Sequence, residues 1–178
     1  MALAATIGNT TVSLSWNAPS SNGGSAIVEY RIERYVSGAW SEIARSNSSP
    51  YSVTGLTNGT SYQFRVSAVT AAGIGAATEP VLATPATTPS APTALTTTPG
   101  DKFVTLGWVA PSSNGGSAIT TYVVEQSTDG TSWSESLRTT ALTATVTGLT
   151  NGTSYSFRVS AINAAGSGAT VVTASTSQ

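Results

Sequence analysis

The chain repeats itself, and this duplication limits the available folds more than any other feature of the sequence. The segment APSSNGGSAI occupies residues 18–27 and recurs at 110–119, while VTGLTNGTSY occupies 53–62 and recurs at 146–155. Strings of this length in the same order do not arise by chance, so the chain holds two homologous copies. Each copy has roughly 85 residues, which is the size of a small single domain.

A short segment rich in proline and threonine separates the two copies. It covers residues 85–93, and its three prolines and small polar residues favour an extended, polyproline-like conformation. The sequence therefore predicts one domain over residues 1–84, a linker over 85–93 and a second domain over 94–178. Residues 85–92 have no counterpart ahead of the first copy, so we expect the chain to be a piece of a longer protein with further modules upstream.

Hydrophobic and polar residues alternate with a period of two in both copies. Val12, Leu14 and Trp16 alternate with small polar residues, and the same pattern runs through residues 61–70. Strict alternation is typical of a strand with one buried and one solvated face, and such strands belong to antiparallel sheets. No segment shows helical periodicity.

Turn-forming residues divide each copy into about seven strands, which is typical of a two-sheet sandwich. In this prediction the loop AAGIG (residues 71–75) follows the sixth strand, and Pro80 lies within an edge strand, where a missing hydrogen-bond donor is tolerated. The predicted fold class is all-β, with two immunoglobulin-like antiparallel sandwiches in tandem. The predicted strands of the first copy are 3–7, 11–17, 27–35, 39–45, 50–54, 61–70 and 78–84.

Several dispersed motifs, each present twice and in the same order, closely resemble the fibronectin type III domain. The resemblance covers essentially the whole chain outside the linker, and its Thr/Ala-rich style is similar to bacterial extracellular members of that family. In the first copy it rests on Trp16, Asn22-Gly23-Gly24, Tyr30, Gly55-Leu56, Tyr62, Phe64-Arg65-Val66 and Ala71-Ala72-Gly73. In the second it rests on Trp108, Asn114-Gly115-Gly116, Tyr122, Gly148-Leu149, Tyr155, Phe157-Arg158-Val159 and Ala164-Ala165-Gly166.

The resemblance implies a structural core of aromatic and aliphatic side chains in each copy. Trp16 and Trp108 would fill the centres of the two sandwiches, where one such ring buries about 150–250 Å². Tyr62 and Tyr155 resemble the tyrosine corner, whose hydroxyl bonds to upstream backbone. The full predicted core consists of Trp16, Tyr30, Leu56, Tyr62, Phe64, Val66, Trp108, Tyr122, Leu149, Tyr155, Phe157 and Val159.

The composition argues against most catalytic and metal-binding functions. The chain has neither Cys nor His, so thiol nucleophiles, His-dependent acid–base catalysis and the usual zinc and haem sites are excluded. Its acidic residues are scattered, and Glu29, Arg31 and Glu33 are interpreted as a cross-strand charge ladder with Arg65. The sequence predicts no enzyme activity, no cofactor and no metal site.

The charge balance also limits the partners. The net charge is −1, whereas nucleic acids and anionic membrane surfaces attract basic proteins. No apolar stretch approaches the roughly 20 residues that span a bilayer, so membrane insertion is not expected. We expect a monomer.

Two groups of residues are candidates for ligand contact. Trp40, Tyr35 and Trp133 lie near a predicted hairpin, where a partly covered aromatic ring either stacks on a sugar or packs over its own strands. Asn22 and Asn114 lie in the Asn-Gly-Gly loops, which are either recognition loops or simple turns. Because both loops have the same sequence, the turn interpretation is favoured.

The leading functional hypothesis is a non-catalytic structural spacer in a larger secreted or surface-attached protein. Its partners would be the neighbouring domains of the parent chain. The alternative is a module that binds protein or polysaccharide, in one form as an accessory domain of a carbohydrate-active enzyme.

Overall fold

A computed structural model describes residues 1–173 and 176–177 of the chain. It divides into two compact units, Met1–Ala86 and Thr87–Gln178, which are called domain 1 and domain 2 below. Every regular element in the described residues is a β-strand. In that part of the chain no helix has the length and hydrophobicity needed to cross a membrane.

Domain 1 consists of two antiparallel sheets. One has the strand order β1-β2-β5, and the other has the order β4-β3-β6-β7 with β8 also paired to β6. The strands are β1 (Leu3–Gly8), β2 (Thr11–Trp16), β3 (Ile27–Val36), β4 (Ala39–Ser46), β5 (Tyr51–Val53), β6 (Tyr62–Thr70), β7 (Gly73–Ala77) and β8 (Val81–Ala83).

Domain 2 repeats this architecture. Its sheets have the orders β13-β10-β9 and β12-β11-β14-β15, with β16 also paired to β14. The strands are β9 (Thr93–Gly100), β10 (Phe103–Val109), β11 (Thr121–Ser127), β12 (Ser134–Thr139), β13 (Thr143–Thr147), β14 (Ser154–Asn163), β15 (Gly166–Val172) and β16 (Thr176–Ser177). The predicted fold class, two antiparallel sandwiches in tandem, is confirmed.

Each domain has its own hydrophobic core between its two sheets. In β2 the alternation buries Val12, Leu14 and Trp16, while the residues between them remain partly or fully exposed. The Trp16 ring packs edge-on against Tyr30, with 5.3 Å between ring centroids, and Trp108 packs against Tyr122 in the same way at 5.5 Å. The buried core also contains Leu56, Phe64 and Val66 in domain 1 and Leu149, Tyr155, Phe157 and Val159 in domain 2.

The tyrosine at the start of the sixth strand connects the core to the preceding turn. The backbone N–H of Thr57 donates to the Tyr62 hydroxyl at 3.0 Å, and Thr150 donates to Tyr155 at 3.2 Å. The Thr57 hydrogen bond lowers the pKa of Tyr62, because it stabilises the ionised oxygen. Tyr62 is half-buried, whereas Tyr155 is buried.

The end of domain 1 differs from its prediction. Residues 73–77 form strand β7 and not a loop, since they pair with β6 through a tight turn that sets Thr70 opposite Gly73. The predicted strand 78–84 begins only at Val81, and Pro80 lies in the break between β7 and β8. Proline has no backbone N–H to donate, so it interrupts the ladder instead of continuing it.

Candidate functional site

The first candidate surface lies on the β3–β4 hairpin of domain 1. Ser37 and Gly38 both have positive φ angles, 49° and 89°, which is the geometry of a two-residue hairpin turn. This turn sets Tyr35 opposite Trp40, with their rings edge to face at 5.3 Å. The Arg65 guanidinium lies 4.4 Å from the centroid of the Trp40 ring. Tyr35 is 45% exposed and Trp40 is half-buried, so only part of this aromatic surface is open to a ligand.

Domain 2 carries a related but smaller aromatic surface. The Arg158 guanidinium lies 4.7 Å from the centroid of the half-buried Trp133 ring. Ser127 stands at the position of Tyr35 and is buried, so the second copy has no matching aromatic pair. Its hydroxyl donates to the Asp129 carboxylate at 2.9 Å.

Asp129 organises the hairpin loop beside Trp133. Its carboxylate accepts hydrogen bonds from the backbone N–H groups of Ser132 at 2.7 Å and Thr131 at 2.8 Å. These hydrogen bonds, with that from Ser127, stabilise the ionised form and hold the pKa of Asp129 well below its ordinary value. The carboxylate is thereby committed to hydrogen bonds within its own loop.

A buried carboxylate lies at the centre of the charged face of domain 1. Glu33 is 2% exposed, and its two oxygens bind Arg31 at 2.9 Å and Arg65 at 2.8 Å. Because Arg65 also covers the Trp40 ring, the ion pair and the aromatic surface form one continuous network. The predicted link between Glu33 and Arg65 is therefore present.

The ladder extends further than the sequence indicated. Arg31 also binds Glu42 at 2.9 Å, and Arg45 binds Glu42 at 2.8 Å and Glu29 as well. The hydrogen bond from Arg45 is the main cause that lowers the pKa of Glu42. Sequence reasoning missed both Glu42 and Arg45, because their position opposite β3 depends on a bulge between Ile32 and Glu33.

In domain 2 the charged face is reduced to two separate pairs. Glu125 binds Arg158 through hydrogen bonds of 2.6 and 2.8 Å, and Glu135 binds Arg138 at 2.9 Å. Val123 stands where domain 1 has Arg31, so nothing connects the two pairs through that position. The Glu125–Arg158 pair joins β11 to β14, whereas Glu135 and Arg138 both lie on β12.

The second candidate surface is formed by the Asn-Gly-Gly loops. The side-chain oxygen of Asn22 accepts from the backbone N–H of Gly24 at 3.0 Å, and Asn114 accepts from Gly116 at 2.9 Å. Both asparagines therefore shape their own turns. Loop 22–24 and the Tyr35–Trp40 hairpin lie at opposite ends of β3, about 30 Å apart for a ten-residue strand, so the candidate residues form two surfaces and not one.

The loop of domain 1 borders an open groove with a volume of about 590 Å³. One wall contains Pro19, Asn22 and Gly23, the other is strand β7, and Met1 and Ile27 also line it. Ile74 of β7 is 49% exposed, so the groove presents apolar surface beside the backbone of two glycine-rich segments.

The corresponding loop of domain 2 contacts Thr87 and Ser90, which lie at the start of that domain. The N–H of Thr87 donates to the carbonyl of Gly115 at 2.9 Å, and the N–H of Ser90 donates to the carbonyl of Ser113 at 3.0 Å. The Asn163 amide donates to the carbonyls of Thr87 and Asn114, at 2.8 and 2.7 Å. Asn163 was not identified from the sequence, and the only available signal was that it replaces Thr70 between the two copies.

Comparison with known proteins identifies the family of both domains. The fibronectin type III domain family matches residues 2–84 and 88–176. Titin of Drosophila melanogaster is 33% identical over 190 residues, which cover 95% of this chain and 1% of titin. Chitinase A1 of Niallia circulans is 35% identical over 165 residues, which cover 88% of this chain and 22% of the chitinase. The chain thus spans at most about a fifth of these relatives.

Solved structures share the same fold. Domains A168–A170 of titin match with a TM-score of 0.62 and 21% identity, over 94% of this chain and 57% of that one.

Proposed function

The chain belongs to the fibronectin type III family, and from this premise we propose that its two domains form a non-catalytic structural spacer. The parent would be a larger secreted or surface-attached protein whose neighbouring domains are the direct partners. The relatives support this proposal, because the matching region makes up only 1% of titin and 22% of chitinase A1. Small domains of this kind act as modules of longer chains.

The main support for this proposal is the anchoring of residues 85–90, which include the boundary between Ala86 and Thr87. On the side of domain 1, the N–H of Gly59 donates to the carbonyl of Pro85 at 2.9 Å, and Ala86 donates to Gly8 at 3.2 Å. Within domain 2, Thr87 and Ser90 are in turn bonded to Gly115 and Ser113. A segment bonded in this way differs from a Gly/Ser-rich tether, which behaves as a random coil. A spacer benefits from such anchoring, whereas a flexible connection between independent binding modules does not require it.

Backbone dynamics test this proposal. We expect NMR order parameters of about 0.85 for the amides of Ala86, Thr87, Thr88 and Ser90, equal to those of the strands. A control chain in which residues 85–90 are replaced by Gly and Ser should give values below about 0.6 at the same positions. Values below 0.6 in the unaltered chain would contradict the spacer proposal.

A binding module is the second candidate, favoured by the partly exposed pair Tyr35 and Trp40 and by the similarity to chitinase A1. A glycan array on the unaltered chain, Trp40→Ala and Trp133→Ala separates the two functions. The spacer proposal expects no glycan to bind at micromolar concentration. Micromolar binding that Trp40→Ala abolishes and Trp133→Ala preserves would replace it with a sugar-binding function on the β3–β4 hairpin.

A further inference from the structure

Glycines allow residues 87–90, the first residues of domain 2, to lie directly against the rest of that domain. A Cβ atom added to Gly115 would come within 2.0 Å of the Thr87 carbonyl oxygen, and one added to Gly168 within 2.2 Å of the Pro89 oxygen. No side chain fits in that space. Pro89 is buried there, and Gly115 is also buried.

Polar contacts fix the same segment at both ends. At its start, Thr87 donates its N–H to Gly115 and accepts from the Asn163 amide. At its end, Ser90 donates to the carbonyl of Ser113, and its hydroxyl accepts from the N–H of Ser113 at 3.2 Å. Apart from the Asn163 amide, the four residues Thr-Thr-Pro-Ser are thus held by backbone groups that any copy of the loop would supply.

Domain 1 has the same glycines around its groove. Gly23 corresponds to Gly115, and Gly75 to Gly168. Among the described residues, none lies within 4 Å of a Cβ built on Gly23, and for Gly75 the nearest atom is the Ala68 carbonyl oxygen at 3.4 Å. Ser21 stands at the position of Ser113, with the same backbone groups. The receiving side of the contact is therefore present in domain 1, and its groove is open.

We propose that the groove of domain 1 is a binding site for an extended Thr/Ser/Pro peptide segment joined to the amino end of the domain. The segment would lie between loop 22–24 and β7 as residues 87–90 lie between loop 114–116 and β15. Met1 lines the groove, so a segment that precedes it enters the site directly. This assignment goes beyond the spacer function, because the groove would bind its segment whatever the parent protein does.

One difference sets the strength of the site. Domain 2 uses the amide of Asn163, whereas domain 1 has Thr70, whose hydroxyl accepts from the N–H of Ala72 at 3.2 Å. Threonine cannot reproduce the two amide hydrogen bonds to Thr87 and Asn114. The exposed side chain of Ile74, which replaces Ser167, offers apolar contact instead. We expect the segment to bind domain 1 more weakly than its counterpart binds domain 2.

The test adds the segment to the chain. Residues 85–92 are placed directly before Met1, in the register that Leu95 and Leu3 share, and a control chain carries eight residues of Gly and Ser. Amide hydrogen exchange at Ser21 is the direct readout, because the corresponding N–H of Ser113 bonds to Ser90. We expect exchange at Ser21 to be at least ten-fold slower with the Thr/Ser/Pro extension than with the control.

Two variants make the result specific to the groove. Gly75→Ala places a methyl group where the backbone of the segment must lie, so it should return exchange at Ser21 to the control rate. Without the extension it should leave the domain 1 spectrum intact, since the added Cβ has room. Thr70→Asn supplies the missing amide and should slow the exchange further.

Several outcomes would overturn the proposal. One is that the amide of Ser21 exchanges at the same rate in the two extended chains. The others are that Gly75→Ala leaves the slow exchange unchanged, or that Thr70→Asn does not slow it further. None of these bears on the order parameters of residues 85–90, so failure of the groove assignment and failure of the spacer proposal are distinguishable.

Discussion

The two domains have nearly the same interior and clearly different surfaces. Leu14 and Phe64 in domain 1, and Leu106 and Phe157 in domain 2, are all fully buried, and each core centres on one tryptophan. The surfaces differ in three places: the groove beside the Asn-Gly-Gly loop, the charged face on the second sheet, and the hairpin that carries the second tryptophan. The core therefore determines the fold, while the surface determines what each domain can contact.

Removing the core tryptophan of either domain should give the greatest loss of stability, and it tests whether the two interiors are equivalent. Trp16→Ala and Trp108→Ala should each destabilise their own domain by about 3–5 kcal/mol, because a large ring is lost from a close-packed core. Calorimetry should show one transition shifted and the other unchanged in each variant. A shift of both transitions by a single substitution would show that the two cores are not independent.

Replacing a groove glycine by alanine should cost less stability, and the cost should differ between the two domains. Gly168→Ala should destabilise domain 2 by about 1–3 kcal/mol, because the new methyl group overlaps the backbone of Pro89. Gly75→Ala, its matched control in domain 1, should change the free energy of unfolding of that domain by no more than about 0.5 kcal/mol. Urea unfolding of the two variants checks the contrast, and equal effects would mean that residues 87–90 do not stabilise domain 2.

The charged face should give a smaller difference. Glu33→Gln leaves Arg31 and Arg65 facing a neutral amide and should destabilise domain 1 by about 1–2 kcal/mol. Glu125→Gln should cost domain 2 about 1 kcal/mol or less, since Glu125 is more exposed and is bound by a single arginine. Thermal unfolding measures both, and a larger effect for Glu125 would refute the importance we give to burial.

The weakest of these effects is on the stability of domain 2 at low pH. The folded-state pKa of Asp129 is depressed, so its stabilisation is present above the unfolded value of about 3.9 and is lost as the pH falls through the lower folded value. Asp129→Asn should therefore weaken domain 2 at pH 7 and flatten its stability profile below about pH 4. Domain 1 has no such carboxylate in its Ser37-Gly38 turn, so its profile should not change.

Much of the fold could be predicted because it depends on local pattern. The alternation of Val12, Leu14 and Trp16 fixes both the strand and its buried face. The prediction failed at residues 73–77, because four of the five residues are glycine or alanine and the whole segment is exposed, so it shows no alternation. That strand forms because it pairs with β6. Pairing of this kind depends on the tertiary structure and cannot be predicted from local composition.

The candidate sites could be predicted only in part. The sequence identified Trp40 and Trp133 as partly covered rings, but the arginines that cover them come from β6 and β14. In each sheet one strand lies between that strand and β4 or β12. Asn163 contacts Thr87 across 76 residues of sequence, and no spacing rule predicts such a contact. The sequence predicts the loop glycines as turn formers, whereas the close approach of Gly115 to Thr87 brings together residues that are distant in sequence.

The attachment of residues 87–90 to domain 2 also bears on how such proteins grow by gene duplication. A repeat copied from its first strand onward would leave behind the peptide that closes its own end. A repeat copied from Thr87 onward would include that peptide, which would pack against its own domain as residues 87–90 do. Recombination that adds modules to an array is therefore least disruptive when its breakpoint falls between Ala86 and Thr87, several residues before the first strand begins at Thr93.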